Sequence, residues 1–302
     1  GEAKRRLING KRTIKTCLLE DRLMVFLDVL GFSSLLEKKP LSDIHSIYAG
    51  FIDYATTNIF YRVEGKEPRP NFAFTQFVSD SLICVSNEIT DVYNVNSFLA
   101  AVTSLVAMGF VAKLPLRGAI GRGDFLIDEE RNIFLSPTIP EVVEYEHQQE
   151  WSGCIILESA EEIIIDAICG VASIEKLRKN QLGNRPIYFY GVPMKKVKKK
   201  ARRAKRKKAF VLNYLFFLSD EQVQSGLEYL IEPKKSNVQD YYRFMKSLPF
   251  EYQLLSEEFR PAEKAVSIVT RSGCTMSFLD KDNKWCRPGV NEFTYHVSGR
   301  WR

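Results

Sequence analysis

Residues 22–30, RLMVFLDVL, form a continuous apolar run of strand length, which predicts a central strand buried on both faces. From Leu41 to about Arg62, apolar side chains recur at helical spacing (Ile44, Ile47, Tyr48, Phe51, Ile52, Ala55, Ile59), with Ser42 placed to cap the helix. The stretches NFAFTQFV (71–78) and SLICVS (81–86) read as two short strands around a two-residue connection, Ser79-Asp80, and so as a hairpin. A second helix is predicted from Asp91 to about Val111, and LPLRGAIGRGDFLI (114–127) reads as a fourth strand.

Further on, 151–168 predicts a strand followed by a helix, and IYFYGVP (187–193) and KAFVLNYLFF (208–217) predict paired strands. Glu221 to about Leu248 reads as helix behind a Ser219 cap, and 272–302 as turn-rich with short strands. The order β-α-β-β-α-β predicts an α+β protein. Its expected architecture is a ferredoxin-like βαββαβ antiparallel sheet with helices on one face, extended by further strands and helices. The expected organisation is an N-terminal arm (1–20), a main domain (21–217) with a basic loop (195–208), and a C-terminal helical and turn-rich region (218–302).

Two acids interrupt apolar strand-like segments: Asp28 in FLDVLGF and Asp80 in FVSDSLICV. In this topology the first and second strands run parallel, with the third between them and antiparallel to both. The end of the first strand then lies beside the hairpin turn, so these residues, 52 apart in sequence, are expected to be neighbours. Two carboxylates about 4 Å apart repel by roughly 4 kcal/mol at an effective dielectric near 20. A shared proton or divalent cations would relieve this, and a sheet edge beside a glycine turn suits hard cations such as Mg²⁺ or Mn²⁺. The plainer alternative makes Asp80 a turn residue and Asp28 a helix-capping group.

The 302 residues are 45% hydrophobic and 26% charged, an ordinary globular balance. The formal charge of +6 is local: eleven Lys and Arg fall between Lys195 and Lys208, and without them 32 basic residues face 37 acidic ones, a balance of −5. Such a run reads first as a solvated loop and second as a nucleic-acid or triphosphate contact. A non-catalytic palm-like nucleic-acid-binding module is the competing reading of function, with nucleic acid not the favoured partner. Six scattered cysteines without CxxC spacing predict reduced thiols and a cytoplasmic protein. No signal peptide and no membrane-spanning segment are expected, and three isolated histidines speak against a His-based metal cluster or a Ser-His-Asp triad.

FLDVLGF (26–32), VSDSLI (78–83) and LRGAIGRG (116–123), in this order, resemble the class III nucleotidyl cyclase domain over about residues 21–160. The resemblance implies that Asp28, Asp80 and the Val29 backbone hold two Mg²⁺ or Mn²⁺ ions per site. It implies that the backbone of Val29, Leu30, Gly31 and Phe32 cradles the phosphates of a nucleoside triphosphate, and that the chain works as a homodimer with composite sites. Arg117 is the candidate for stabilising developing charge and Arg122 a weaker one, each with a salt bridge as the alternative. The chain departs from purine cyclases. Gln76 stands where those have the base-reading lysine, Ile133 near their partner Asp, and Pro140 and Glu144 in the places of their Asn and Arg.

That pattern is similar to the divergent bacterial pyrimidine cyclases of the Pycsar antiphage system, whose later VPxK…AFVLNYL segment fits 192–215. The similarity implies conversion of UTP to cyclic UMP, with CTP to cyclic CMP as the alternative, and a separate effector that senses the product. Tyr48 is the candidate for shortening the base pocket, or else an ordinary core aromatic. Glu141, Glu144 and Glu146 fall on one helix whose face reads first as solvated, with contact to the ligand across a dimer interface as the alternative.

Overall fold

The computed structural model describes residues 16–53, 60–63, 69–169, 174–179, 186–195, 206–248, 268–269, 275–279 and 294–298. Strand β1 (Thr16–Val29) is an interior strand of an eight-stranded sheet. The turn at Gly31 leads to helices α1 (Phe32–Lys38) and α2 (Leu41–Asp53). Two short strands, β2 (Phe60–Val63) and β3 (Arg69–Pro70), precede the hairpin of β4 (Phe72–Val78) and β5 (Ser81–Ser86). Helix α3 (Val92–Val111), β6 (Leu116–Asp128), β7 (Ile133–Leu135) and helix α4 (Thr138–Gln148) follow. Next come β8 (Gly153–Ile156), α5 (Glu158–Cys169), α6 (Ile174–Lys179), β9 (Ile187–Pro193), β10 (Arg206–Leu212), α7 (Asp220–Leu227) and α8 (Lys234–Ser247). Strands β11 (Ile268–Val269), β12 (Thr275–Leu279) and β13 (Thr294–Ser298) form a second sheet with β2 and β3.

The main sheet runs β4-β5-β1-β6-β8-β10-β9, with β7 added to β6. β5 lies between β4 and β1 and is antiparallel to both, and β6 pairs with β1 antiparallel on its other side. This is the expected split βαββαβ unit. The extension begins with a parallel pairing of β6 and β8 and continues antiparallel through β10 and β9. Helix α3 is capped by Asp91, whose carboxylate accepts from the Tyr93 N–H at 3.0 Å, and is buried along most of its length. It is long and apolar enough to cross a membrane, yet 83% of that window is buried inside the protein, so it reads as the core helix.

Several boundaries differ from expectation. α2 is described as far as Asp53 and Arg62 lies in a strand; Ile59 and the rest of 54–59 fall outside the described residues. Phe60-Tyr61-Arg62-Val63 is aromatic and β-branched, the composition of a strand, and its backbone pairs with β13. Ser42 sits inside the first turn of α2, where its hydroxyl donates to Asp43 at 3.3 Å rather than capping. β10 stops at Leu212, and Tyr214–Phe217 forms a 3₁₀ turn. The expected C-terminal helix is two helices. α7 ends at its cap residue Glu228, and Pro233 stands immediately before α8, where a missing N–H is tolerated. Ser219 caps α7 in a reciprocal pair with Gln222.

The expected borders at residues 20 and 217 do not divide the packing. Thr16–Leu19 of the arm pair with β6. Val223, Leu227, Val238 and Tyr241 of α7 and α8 are buried in the same core as β1 and α3. Tyr241 stacks edge-on to Trp151 at 5.0 Å and donates its hydroxyl to the Leu212 carbonyl at 2.9 Å. Among the described cysteines, Cys84 and Cys154 are free and buried, and burial pushes both thiols up. Most of the basic run, 196–205, lies outside the described residues.

Candidate active site

The site is built where β1 ends. Register sets Asp28 of β1 opposite Ser81 of β5 on one side and Arg117 of β6 on the other. The hairpin turn brings Asp80 alongside: the Val29 N–H donates to the Asp80 carbonyl at 3.1 Å. Ser79, the first loop residue, has φ +56°, as the primed turns of two-residue hairpins require. The 52-residue separation of the two acids is thus closed by strand pairing.

Charge around Asp28 is unbalanced. Its carboxylate accepts from the Ser81 hydroxyl at 3.2 Å and lies 3.9 Å from the Arg117 guanidinium. Burial, then the neighbouring Glu146 and Asp80 carboxylates, push the Asp28 carboxyl up to about 6, with Arg117 only partly offsetting them. Burial also raises Glu146, and it raises the Tyr48 hydroxyl to about 12 with help from Asp80 and Asp28. Tyr48 itself is half-buried on α2. Its ring packs against Phe32 at 5.7 Å and Phe51 at 6.4 Å.

Arg117 is brought to the site but is buried and engaged. Its guanidinium is ion-paired to Glu146 and donates to the Gln149 carbonyl at 3.0 Å. That is the salt-bridge alternative weighed above, and it positions Asp28 instead of opening toward a ligand. Arg122 is not brought here. It faces Leu23 across β1, five register positions from the Asp28 pair, and binds the Asp21 carboxylate through two contacts of 2.6 and 2.8 Å. Gln76 sits on β4 opposite Ile83 and donates to the Phe77 carbonyl at 3.2 Å.

The expected phosphate cradle is narrower than the sequence implied. The Leu30 N–H donates to the Pro115 carbonyl at 2.8 Å and the Val29 N–H to Asp80, so those two amides are committed. Exposed Gly31 remains, with φ +79° and open space where a Cβ would stand, followed by Phe32. Only glycine adopts that backbone freely.

Glu141 and Glu144 are exposed, as expected of a solvated face, but Glu146 is turned inward. It is 4% exposed. The sequence did carry a signal for it: Thr138, Val142 and Glu146 are the buried residues of α4 and follow i, i+4, i+8 spacing, one inner stripe. Ser81, the second serine of the SDS triplet, and Lys195 were also missed. Burial and the Arg117 charge lower the Lys195 ammonium, and its backbone N–H donates to Gln148 at 2.6 Å.

Among the described residues, no group of three or more His, Cys, Asp or Glu side chains is placed to hold a metal ion. A cation at this edge would use the two aspartates together with backbone carbonyl, water and ligand oxygens, an oxygen-only set that suits Mg²⁺ or Mn²⁺. A carboxyl pushed up to about 6 by burial and then by neighbouring carboxylates is a group that a cation would relieve, so the residues fit such an ion.

No protein-family model matches the chain, and no curated protein matches it. Among solved structures it is similar to the catalytic core of a rhodopsin-guanylyl cyclase with converted specificity in complex with ATPalphaS. Identity there is 11% over 66% of this chain and 98% of that one, with a TM-score of 0.41. It is also similar to the adenylyl cyclase CyaB from P. aeruginosa, at 13% identity over 66% of this chain and 96% of that one, with a TM-score of 0.40. At this level of similarity, the chemistry rests on the chain's own residues.

Proposed function

We propose that this protein is a nucleotide cyclase acting on a pyrimidine triphosphate, with UTP as substrate and 3′,5′-cyclic UMP and pyrophosphate as products. The observation that carries the reading is the meeting of Asp28 and Asp80 at the end of β1, beside the Gly31 turn. The motif resemblance of FLDVLGF, VSDSLI and LRGAIGRG supports it. Asp28, Asp80 and the Val29 carbonyl would hold two divalent cations, Mg²⁺ or Mn²⁺, which when bound neutralise triphosphate charge and make the 3′-hydroxyl more acidic.

The chain's own residues do the rest by positioning. The Gly31-Phe32 backbone approaches the phosphates, and Ser81 and Arg117 orient Asp28. In this reading Tyr48 shortens the base pocket, so that a single-ring base is accepted and a purine is not. The 3′-oxygen attacks the α-phosphorus, its bond to the pyrophosphate oxygen breaks, and the hydroxyl proton leaves to solvent. The site is composite, completed by a second copy of the chain in a two-fold dimer. The product acts as a second messenger in antiphage defence, sensed by a separate effector.

The test is incubation of the protein with each of the four ribonucleoside triphosphates and Mn²⁺, with products identified by mass. Cyclic UMP is expected from the wild type and none from Asp80→Asn; cyclic CMP in its place would move the base assignment to cytosine. Tyr48→Leu should admit ATP or GTP. Turnover retained in Asp80→Asn would remove the metal assignment. Protection against phage plating that survives in the same variant would remove the messenger role.

A further inference from the structure

Gly31 and Phe32 line a second feature: a cleft of about 370 Å³ between α1, the α3–β6 turn and the α7–α8 turn. Four lysines stand around it: Lys38, Lys39, Lys113 and Lys234. They come from three separate parts of the chain. Apart from the run at 195–208 the protein carries more acidic than basic residues, so this gathering runs against its background. Lys234 is tied to Glu150 at 3.3 Å, while Lys38, Lys39 and Lys113 are exposed. The floor is apolar, from Val29, Leu114 and Leu230, all buried. Lysine stems can lie along such a floor with their ammonium groups at the mouth. A low-dielectric floor also strengthens the pull of those charges on an anion.

Lys113 supplies an independent observation. It ends α3 in a Schellman turn: the Leu114 N–H donates to the Gly109 carbonyl at 2.8 Å and the Lys113 N–H to Phe110 at 3.4 Å. The turn gives Lys113 a φ of +68°. Glycine is the residue favoured at that position, because a Cβ is strained there. The chain keeps a lysine instead, with its ammonium 4.8 Å from the centre of the Tyr229 ring, on the cleft wall. The helix-ending turn thus fixes the backbone from which a charged side chain lines the cleft.

We propose that this cleft binds a polyphosphate, with the Lys38, Lys39, Lys113 and Lys234 ammonium groups around its phosphate oxygens. Several cations around one mouth match a chain of several adjacent negative charges better than a single carboxylate. The anion has two possible sources. One is the tail of a nucleoside triphosphate held at Asp28 and Asp80, since the Gly31 turn borders both places; that source rests on the function proposed above. The other is a free polyphosphate at a site of its own.

The experiment is calorimetric titration of the full-length protein with inorganic tripolyphosphate in the presence of a chelator. Wild type is compared with Lys113→Gly, Lys38→Ala, and a chain with Lys196, Lys198, Lys199 and Lys200 changed to Ser. Lys113→Gly and Lys38→Ala should each weaken binding about tenfold, the loss of one charge-assisted contact, whereas the serine chain should keep the tight phase. Lys113→Gly should melt no lower than wild type, because glycine suits its backbone, so lost affinity would not reflect unfolding. Unchanged affinity in folded Lys113→Gly and Lys38→Ala, or loss of the tight phase in the serine chain, would overturn the proposal. Turnover then separates the sources. Competitive inhibition by tripolyphosphate, with a higher KM in Lys113→Gly, marks the substrate tail; non-competitive modulation marks a free ligand. A protein that binds tripolyphosphate in this way yet turns over no nucleotide would keep the cleft and discard the cyclase.

Discussion

Asp28 concentrates the cost of this site in one side chain. It is partly buried, faces two other carboxylates, and has only a shared arginine and one hydroxyl to offset them. A carboxyl raised from 3.8 to about 6 is protonated more readily in the folded chain than in the unfolded one. Its contribution to stability is therefore fully present below about pH 4 and is lost as pH rises through about 6. With a chelator present, Asp28→Asn should melt about 3–6 °C above wild type at pH 7.5, halving the shift's free energy for solvent screening. At pH 3.5 the two should nearly coincide. Mn²⁺ should then raise the wild-type melting temperature at pH 7.5 and leave Asp28→Asn unmoved. A gap between the two proteins that is the same at both pH values, read by differential scanning calorimetry, would mean the carboxyl is not destabilised. At this scale the sequence revealed the two acids and the Gly31 turn, because an acid in an apolar strand is anomalous by itself. It could not show that Arg117 is taken by Glu146 or Arg122 by Asp21, since an arginine's partner is set by whatever folding lays beside it.

The element that holds the site together is α4 against β6. A Cβ at Gly121 would come within 2.6 Å of Thr138 Cγ2 and 2.9 Å of Val142 Cγ1, so the absence of a side chain there is what lets the helix lie on the strand. Gly121→Ala should cost about 1–3 kcal/mol by overpacking. It should also lower turnover, because Glu146 would be pushed off Arg117. Gly191→Ala, whose nearest atom would be 3.5 Å away, should be neutral in both denaturant unfolding and rate. Equal effects in the two variants would deny α4 this role. Most elements were legible from periodicity: the hairpin at 72–78 and 81–86, the long core helix and the central strand lie close to where the pattern puts them. The misreadings fell where two periods abut. The helical stripe of α2 ran on in sequence toward Phe60, and α7 and α8 share a face although Pro233 separates them.

On the scale of the whole molecule, α7 and α8 belong to the same core as the sheet, and the turn between them and the start of α8 supply Tyr229, Leu230 and Lys234 to the lysine cleft. If the site is completed by a second copy of the chain, activity per chain should fall on dilution in parallel with the dimer fraction seen by analytical ultracentrifugation. Constant specific activity through the dissociation range would make each chain's site self-sufficient.

The sequence by itself determined which residues could not be ordinary: two acids in apolar strand-like segments, a glycine where the chain must turn, and an α+β order that sets strand one beside the hairpin. Those are local facts, carried by composition and period. Only the tertiary structure decided how the charges are shared, with Glu146 turned inward onto Arg117 and lysines from three distant segments meeting over one apolar floor. Partners in space depend on packing between elements, and no period along a chain encodes which faces meet.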